Sequence, residues 1–155
     1  METIFQATLK SPIGALLIEA DSTHIIGISF LDLEGEDAPA NTVTDNELLS
    51  RCIRQLSEYF LGKRKIFDLS LKHDGSEFQE KVWKALEAIP FGKIETYSTI
   101  ARIIKNPSAA QAVGKACGSN PMLLIVPCHR AVGLAKPSGY SGGNEKKEWL
   151  LRHEK

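Results

Sequence analysis

The sequence predicts an α+β protein in two parts, a small α/β unit over residues 1–72 and a mostly helical unit over residues 73–155. Three observations carry this. Segments rich in β-formers and bounded by turn residues fill the start of the chain. Apolar residues at helical spacing take over after residue 45. A helix-start signature at Ser76, just after Asp74-Gly75, opens a new unit.

Residues 3–9, 15–20 and 25–31 read as antiparallel strands, with Ser11-Pro12-Ile13-Gly14 and Asp21-Ser22 as turns. Residues 31–44 are acidic and aperiodic, the pattern of a surface loop. Asp45 or Asn46 can cap a helix whose Leu48, Leu49, Cys52, Ile53, Leu56, Tyr59 and Phe60 follow helical spacing, and Gly62 ends it. Residues 66–71 read as one more strand. Ser76 and Gln79 then form a capping box, with Phe78, Val82, Leu86 and Ile89 along one helix face until Pro90-Phe91-Gly92. Two short helices follow, over 98–104 and 108–117, with Pro107 at the start of the second. Such a pair forms a helix-turn-helix-like unit, a pattern also met in plain helix packing. Trp83 and Trp149 are expected in the core.

The 155 residues are 43% apolar and 25% charged, without low-complexity tracts. No stretch of about 20 apolar residues could span a membrane, and the N-terminus lacks the basic start and apolar core of a signal peptide. Three cysteines, an odd number without framework spacing, suit a reducing cytoplasm. Net charge is zero, yet residues 1–92 hold 9 basic and 15 acidic residues while 93–155 hold 10 and 4. That asymmetry suggests a polyanion partner for the C-terminal part. The second short helix is built from Ala109, Ala110, Ala112, Gly114 and Ala116, with Gln111 and Lys115. Its small bulk suits either close packing within the fold or entry into a DNA groove about 6 Å wide.

The sharpest chemical signal is Pro127-Cys128-His129-Arg130. A free thiol of pKa about 8.5 is only about 3% thiolate at pH 7, and the adjacent imidazole and guanidinium are groups that could lower that pKa or take the proton. Cys52 and Cys117 read as buried apolar residues, Cys117 in the core or a pocket wall. His24, His73 and His153 read as solvent-exposed, and no ligand spacing supports a metal.

Together with Ser11-Pro12-Ile13-Gly14, Gly75-Ser76-Glu77-Phe78-Gln79, Ile89-Pro90-Phe91-Gly92, Thr96-Tyr97, Ala112-Val113-Gly114, Asn120-Pro121, Gly139-Tyr140-Ser141-Gly142-Gly143 and Lys147 with Leu150-Leu151 and Glu154, the tetrad resembles the O6-alkylguanine-DNA alkyltransferases over nearly the whole chain. The resemblance implies a ribonuclease H-like first domain (1–72) and a winged-helix-like second (73–155). It also implies a single irreversible transfer of an alkyl group from guanine O6 in DNA to Cys128, with no cofactor. By the same resemblance His129, through a water, takes the thiol proton, Glu154 orients the imidazole, and Tyr97 acts as acid toward the departing base. Asn120 braces the segment joining the second helix to the strand that carries the cysteine, while Ala131, Tyr140, Ser141 and Cys117 surround the base. Ala110, Gln111, Ala112, Gly114, Lys115 and Arg130 are expected at the DNA interface, Arg130 mainly as a structural tie to a carboxylate. The family flips the nucleotide out of the stack; here Gln111 stands where its familiar members carry an arginine. A monomer acting on double-stranded DNA that contains O6-alkylguanine, with no membrane partner, is expected. The competing readings are a non-catalytic sensor or helix-turn-helix regulator and, more remotely, a thiol hydrolase.

Overall fold

The computed structural model describes residues 3–31, 41, 44–133 and 143–155, and the chain forms two compact units, Met1–His73 and Asp74–Lys155. In the first, β1 (Phe5–Ser11), β2 (Gly14–Ala20) and β3 (Ile25–Phe30) make an antiparallel sheet in that order. Register follows the alternation of the sequence: Leu9 pairs with Leu16 and Ala7 with Ile18, which pairs in turn with Ile28, so these side chains share the buried face. The Ser11 hydroxyl closes the first hairpin by donating to the Gly14 carbonyl at 2.6 Å.

Helix α1 (Glu47–Phe60) lays Leu49, Cys52, Leu56 and Tyr59 toward the core, and Asn46, not Asp45, caps it by accepting from the Leu49 N–H at 3.0 Å. Gly62, at φ 77°, turns the chain just past its end. The expected loop over 31–44 lies largely outside the described residues.

Residues 66–71 do not form the expected strand. They reach the sheet through one parallel bridge, Ile25 to Leu71, with the Ile25 N–H donating to Ser70 at 2.8 Å and the Lys72 N–H to Ile25 at 3.0 Å. The backbone in between is claimed by the buried Gln55 amide, which donates to the Asp68 carbonyl at 3.0 Å and accepts from the Asp68 N–H at 2.8 Å. β-propensity there is overridden by a side chain that meets both backbone groups at once.

In the second unit α2 (Glu77–Glu87) starts on the expected capping box: Ser76 accepts from the Gln79 N–H at 3.1 Å, and the Gln79 amide accepts from the Ser76 N–H at 2.9 Å. Val82, Trp83 and Leu86 are buried, and the Trp83 indole donates to the Ala116 carbonyl at 2.9 Å. Strand β4 (Glu95–Thr96) leads into α3 (Tyr97–Ile103), and α4 (Ala110–Gly118) packs on both α2 and α3. Helix α4 begins later than the sequence suggests. The Ala109 N–H donates to Asn106 at 3.0 Å, closing a turn that absorbs Pro107 and Ser108.

Cys128–Arg130 form a 3-10 turn, where a strand was expected to carry the cysteine. It runs into β5 (Ala131–Val132), which pairs parallel with β4. Helix α5 (Asn144–His153) closes the unit. Its Trp149 is half-buried and stacks on His153 with ring centroids 4.8 Å apart, so it does not belong to the core as expected. His24, His73 and His153 are likewise half-buried, not solvent-exposed. No helix among the described residues is long and apolar enough to cross a membrane.

Candidate active site and nucleic-acid interface

The turn at Cys128–Arg130 points three reactive side chains into the second unit, each no more than 6% exposed. Asn120 holds the approach to it. Its amide donates to the Val126 carbonyl at 2.7 Å and its oxygen accepts from the Met122 N–H at 2.9 Å. The Cys128 N–H is bonded to the Val126 carbonyl at 2.8 Å. Residues 120–128 are thereby locked by local hydrogen bonds, in the position the sequence reading assigned to Asn120.

Glu154 organises the rest. One carboxylate oxygen lies 2.7 Å from His129 Nε2, and Arg130 clamps both oxygens, from Nε at 2.8 Å and from a terminal nitrogen at 3.1 Å. Arg130 also donates to the Ile89 carbonyl at 2.7 Å and lies 5.8 Å from the centre of the Phe91 ring. A bidentate, charge-assisted pair of this kind is what makes a buried carboxylate tolerable. It is the tie to a carboxylate expected of Arg130; with its guanidinium committed to Glu154 and Ile89 and 6% exposed, the further expectation of a surface contact with DNA does not hold.

Burial pushes the Cys128 thiol up to about 11, with the Asn120 hydrogen bond and the Lys147 charge pulling the other way. Burial lowers the His129 pKa against the opposing pull of Glu154, so the imidazole is neutral at pH 7. With Nε2–H directed at the carboxylate, Nδ1 is the basic nitrogen. Tyr97, at the first turn of α3, is pushed up to about 12 by burial and then by the nearby Cys117 and Cys128, which keeps its hydroxyl a proton donor.

Lys147 is the residue to which the sequence reading gave no role. It is 1% exposed, donates to the Ala131 carbonyl at 2.6 Å and sits 5.9 Å from the centre of the Tyr97 ring. Burial lowers its pKa, while Cys128 and Cys117 raise it. The signal was present: Lys147, Leu150 and Glu154 recur at i, i+3 and i+7, one face of α5. Cys117 is buried on α4, and burial followed by the Cys128 charge raises its thiol to about 12. Ala131 is buried with its carbonyl already on Lys147, and Tyr140 and Ser141 lie outside the described residues.

Helix α4 divides its residues cleanly. Val113, Ala116 and Cys117 face the core, Gln111, Ala112 and Lys115 are exposed, and Ala110 is half-buried. Gly114 belongs with the inner set, since a Cβ there would sit 3.2 Å from the Tyr97 ring. Its missing side chain serves the approach of α4 to Tyr97. Among the described residues no cluster of three or more His, Cys, Asp or Glu could hold a metal ion.

A small sheet unit followed by a helical unit, with a buried thiol, imidazole and carboxylate beside an exposed short helix, defines a thiol-dependent protein of the nucleic-acid-binding class. The family models agree. Residues 4–73 match the ribonuclease-like domain, and residues 77–155 the DNA binding domain, of 6-O-methylguanine DNA methyltransferase. A methylated-DNA–protein-cysteine methyltransferase of Methanosarcina acetivorans is 40% identical over 153 residues, covering 97% of this chain and 98% of its own. The crystal structure of Mycobacterium tuberculosis O6-methylguanine methyltransferase matches with a TM-score of 0.86 at 38% identity, over 98% of this chain and 93% of that one. The structure of M. tuberculosis OGT in complex with DNA matches at 0.83 and 39%, over 95% and 90%. The chain belongs to the 6-O-methylguanine DNA methyltransferase family.

Proposed function

We propose that this protein repairs DNA by moving the alkyl group of an O6-alkylguanine onto Cys128, once per molecule. The observation that carries this is the buried Cys128 thiol, acted on by the Lys147 charge, with His129 bonded to Glu154 and Glu154 to Arg130. At rest the thiol is protonated. Neutral His129, held by Glu154, accepts its proton through a water, and the Lys147 charge stabilises the thiolate. Sγ then attacks the alkyl carbon in line with the carbon–O6 bond. The bonding pair leaves on the guanine, and Tyr97 supplies the proton the departing base needs. The product is a thioether and an intact guanine. Nothing in the site returns the thiol, so the reaction stops at one equivalent.

A duplex base reaches this site only by leaving the stack. The exposed side of α4, with Gln111, Ala112 and Lys115, is the surface that would enter the groove, Gln111 filling the space the base vacates. Glutamine hydrogen-bonds the orphaned cytosine without adding charge, so affinity for DNA is lower than with arginine there. By the family resemblance, Tyr140, Ser141, Cys117 and Ala131 are the residues assigned to the base. The division of labour follows the two domains, 1–72 and 73–155. All the reacting groups belong to the second, so a monomer suffices. Three free, buried cysteines fit a reducing cytoplasm.

The test is intact mass after incubation with a duplex carrying O6-methylguanine, alongside Cys128→Ser. One methyl gained per molecule, and none in the variant, is expected. Binding without a mass change would instead favour an alkylation sensor.

A further inference from the structure

Helix α3 ends in a way its sequence does not predict. The N–H of Lys105 donates to the Arg102 carbonyl at 3.0 Å, and the N–H of Asn106 reaches back to Ala101 at 2.9 Å. This is the Schellman closure, in which the residue past the C-cap takes left-handed backbone angles and is usually glycine. Here that residue is Lys105, at φ 64°, one of two non-glycine residues with positive φ among those described. The other, Leu124, is buried in the turn leading to Cys128 and has packing to hold it. Lys105 is exposed, and no ion pair holds its ammonium among the described residues. A lysine kept in a strained position that glycine would fill without strain, and given no ion pair among the described residues, points to a use for its charge.

The surroundings say what kind. Between Glu95 and Glu145 the sequence contains no acidic residue at all. In that stretch Arg102, on the last turn of α3, and Lys115, on α4, are exposed. The Arg102 guanidinium donates to the Thr99 hydroxyl at 3.0 Å, and no ion pair holds it among the described residues. Three exposed cations are thus carried by α3, by the turn after it and by α4, whose exposed Gln111 is uncharged.

Building on the reading that α4 enters DNA, we propose that Lys105 is a phosphate-binding residue. From the turn between α3 and α4 it anchors the DNA backbone, with Arg102 and Lys115, and supplies the attraction that Gln111 does not. Such contacts act by neutralising phosphate and releasing counterions, without regard to base sequence.

The test exploits two opposed effects of one substitution. Lys105→Gly removes the charge and relieves the backbone strain; Lys105→Gln removes the charge and keeps the strain; Lys105→Arg keeps both. Binding of each to an unmodified duplex is measured across a salt series, with thermal unfolding and with methyl transfer from free O6-methylguanine base. A protein making one phosphate contact fewer loses about 0.9 from the slope of log affinity against log salt. Lys105→Gly is therefore expected to melt higher, by about 2 °C, while its salt slope flattens by about 0.9. Lys105→Gln flattens the slope equally without the rise, Lys105→Arg keeps the parental slope, and transfer from the free base is unchanged throughout. An unchanged slope in both the glycine and glutamine variants would overturn the proposal. Failure of the parent protein to take a methyl from either free base or duplex would instead strike the repair reading, and the salt slopes would still decide the role of Lys105.

Discussion

Among the described residues the buried polar side chains of the two units differ in what they do; those of the first unit are Asp21 and Gln55, and both serve nearby backbone. Asp21 accepts from the N–H groups of Thr23 and His24 at 2.8 and 2.7 Å, which hold its carboxyl below the usual range. Gln55 fastens residue 68. In the second unit the buried polar side chains are Asn120, His129, Arg130, Lys147 and Glu154, and they converge on the segment around Cys128. The cysteines sharpen the contrast. Cys52 and Cys128 are equally hidden, yet burial alone acts on Cys52, raising it to about 12, whereas Cys128 has a hydrogen bond and a cation working against burial. Burial makes a thiol inert; what distinguishes a reactive one is the company buried with it.

The largest expected effect is at the carboxylate that binds this company together. Glu154→Ala leaves the Arg130 guanidinium without its partner in the interior, at a cost of about 3–5 kcal/mol. Thermal unfolding should show the second unit melting far lower; an unchanged melting temperature would break the comparison.

Next comes pH. An unfolded imidazole takes its proton near 6.5, while folded His129 does so only at lower pH because burial disfavours the charge. Between those two values the unfolded chain binds more protons, so stability falls as pH drops below about 6.5. The transfer rate, which needs neutral His129, should hold through that point and decline only further down. A rate already halved at the ordinary histidine pKa would show that His129 is not the buried base described.

In the first unit Gln55→Ala removes two hydrogen bonds from one buried amide, about 1–3 kcal/mol in a denaturant titration, with the methyl-transfer rate unaltered. The smallest effects are at the helix starts. Asn46→Ala and Ser76→Ala should each cost about 1 kcal/mol, and a matching pair of losses would show that ordinary helix caps contribute alike in both units.

Much of this was legible in the sequence because it rests on short-range rules. Segments rich in β-formers between turn residues marked the three strands, helical spacing marked α1, and the Ser76–Gln79 box marked the start of α2. The tetrad at 127–130, with its flanks, pointed to Cys128, His129 and Glu154. What escaped depends on distant partners. Residues 66–71 have strand composition, but the amide that takes their backbone comes from Gln55, thirteen residues away from Asp68. A carboxylate partner for Arg130 was expected, but the sequence does not show that Glu154 and Ile89 close around its guanidinium and leave it little exposed for DNA. Lys147 stood among the residues that carry the resemblance but received no role, because its ammonium meets Ala131 only once α5 is docked. Pro107 promised a helix start, and the turn bond from Ala109 to Asn106 postponed it.

The central claim, that the polar groups buried in the second unit activate one particular thiol, is tested most directly by locating the methyl group. The protein is reacted with less than one equivalent of duplex carrying O6-methylguanine, digested, and its cysteine peptides are read by mass spectrometry. The account predicts methyl on the Cys128 peptide alone, with Cys52 and Cys117 unmodified. Methyl on Cys117, or spread across all three, would contradict it.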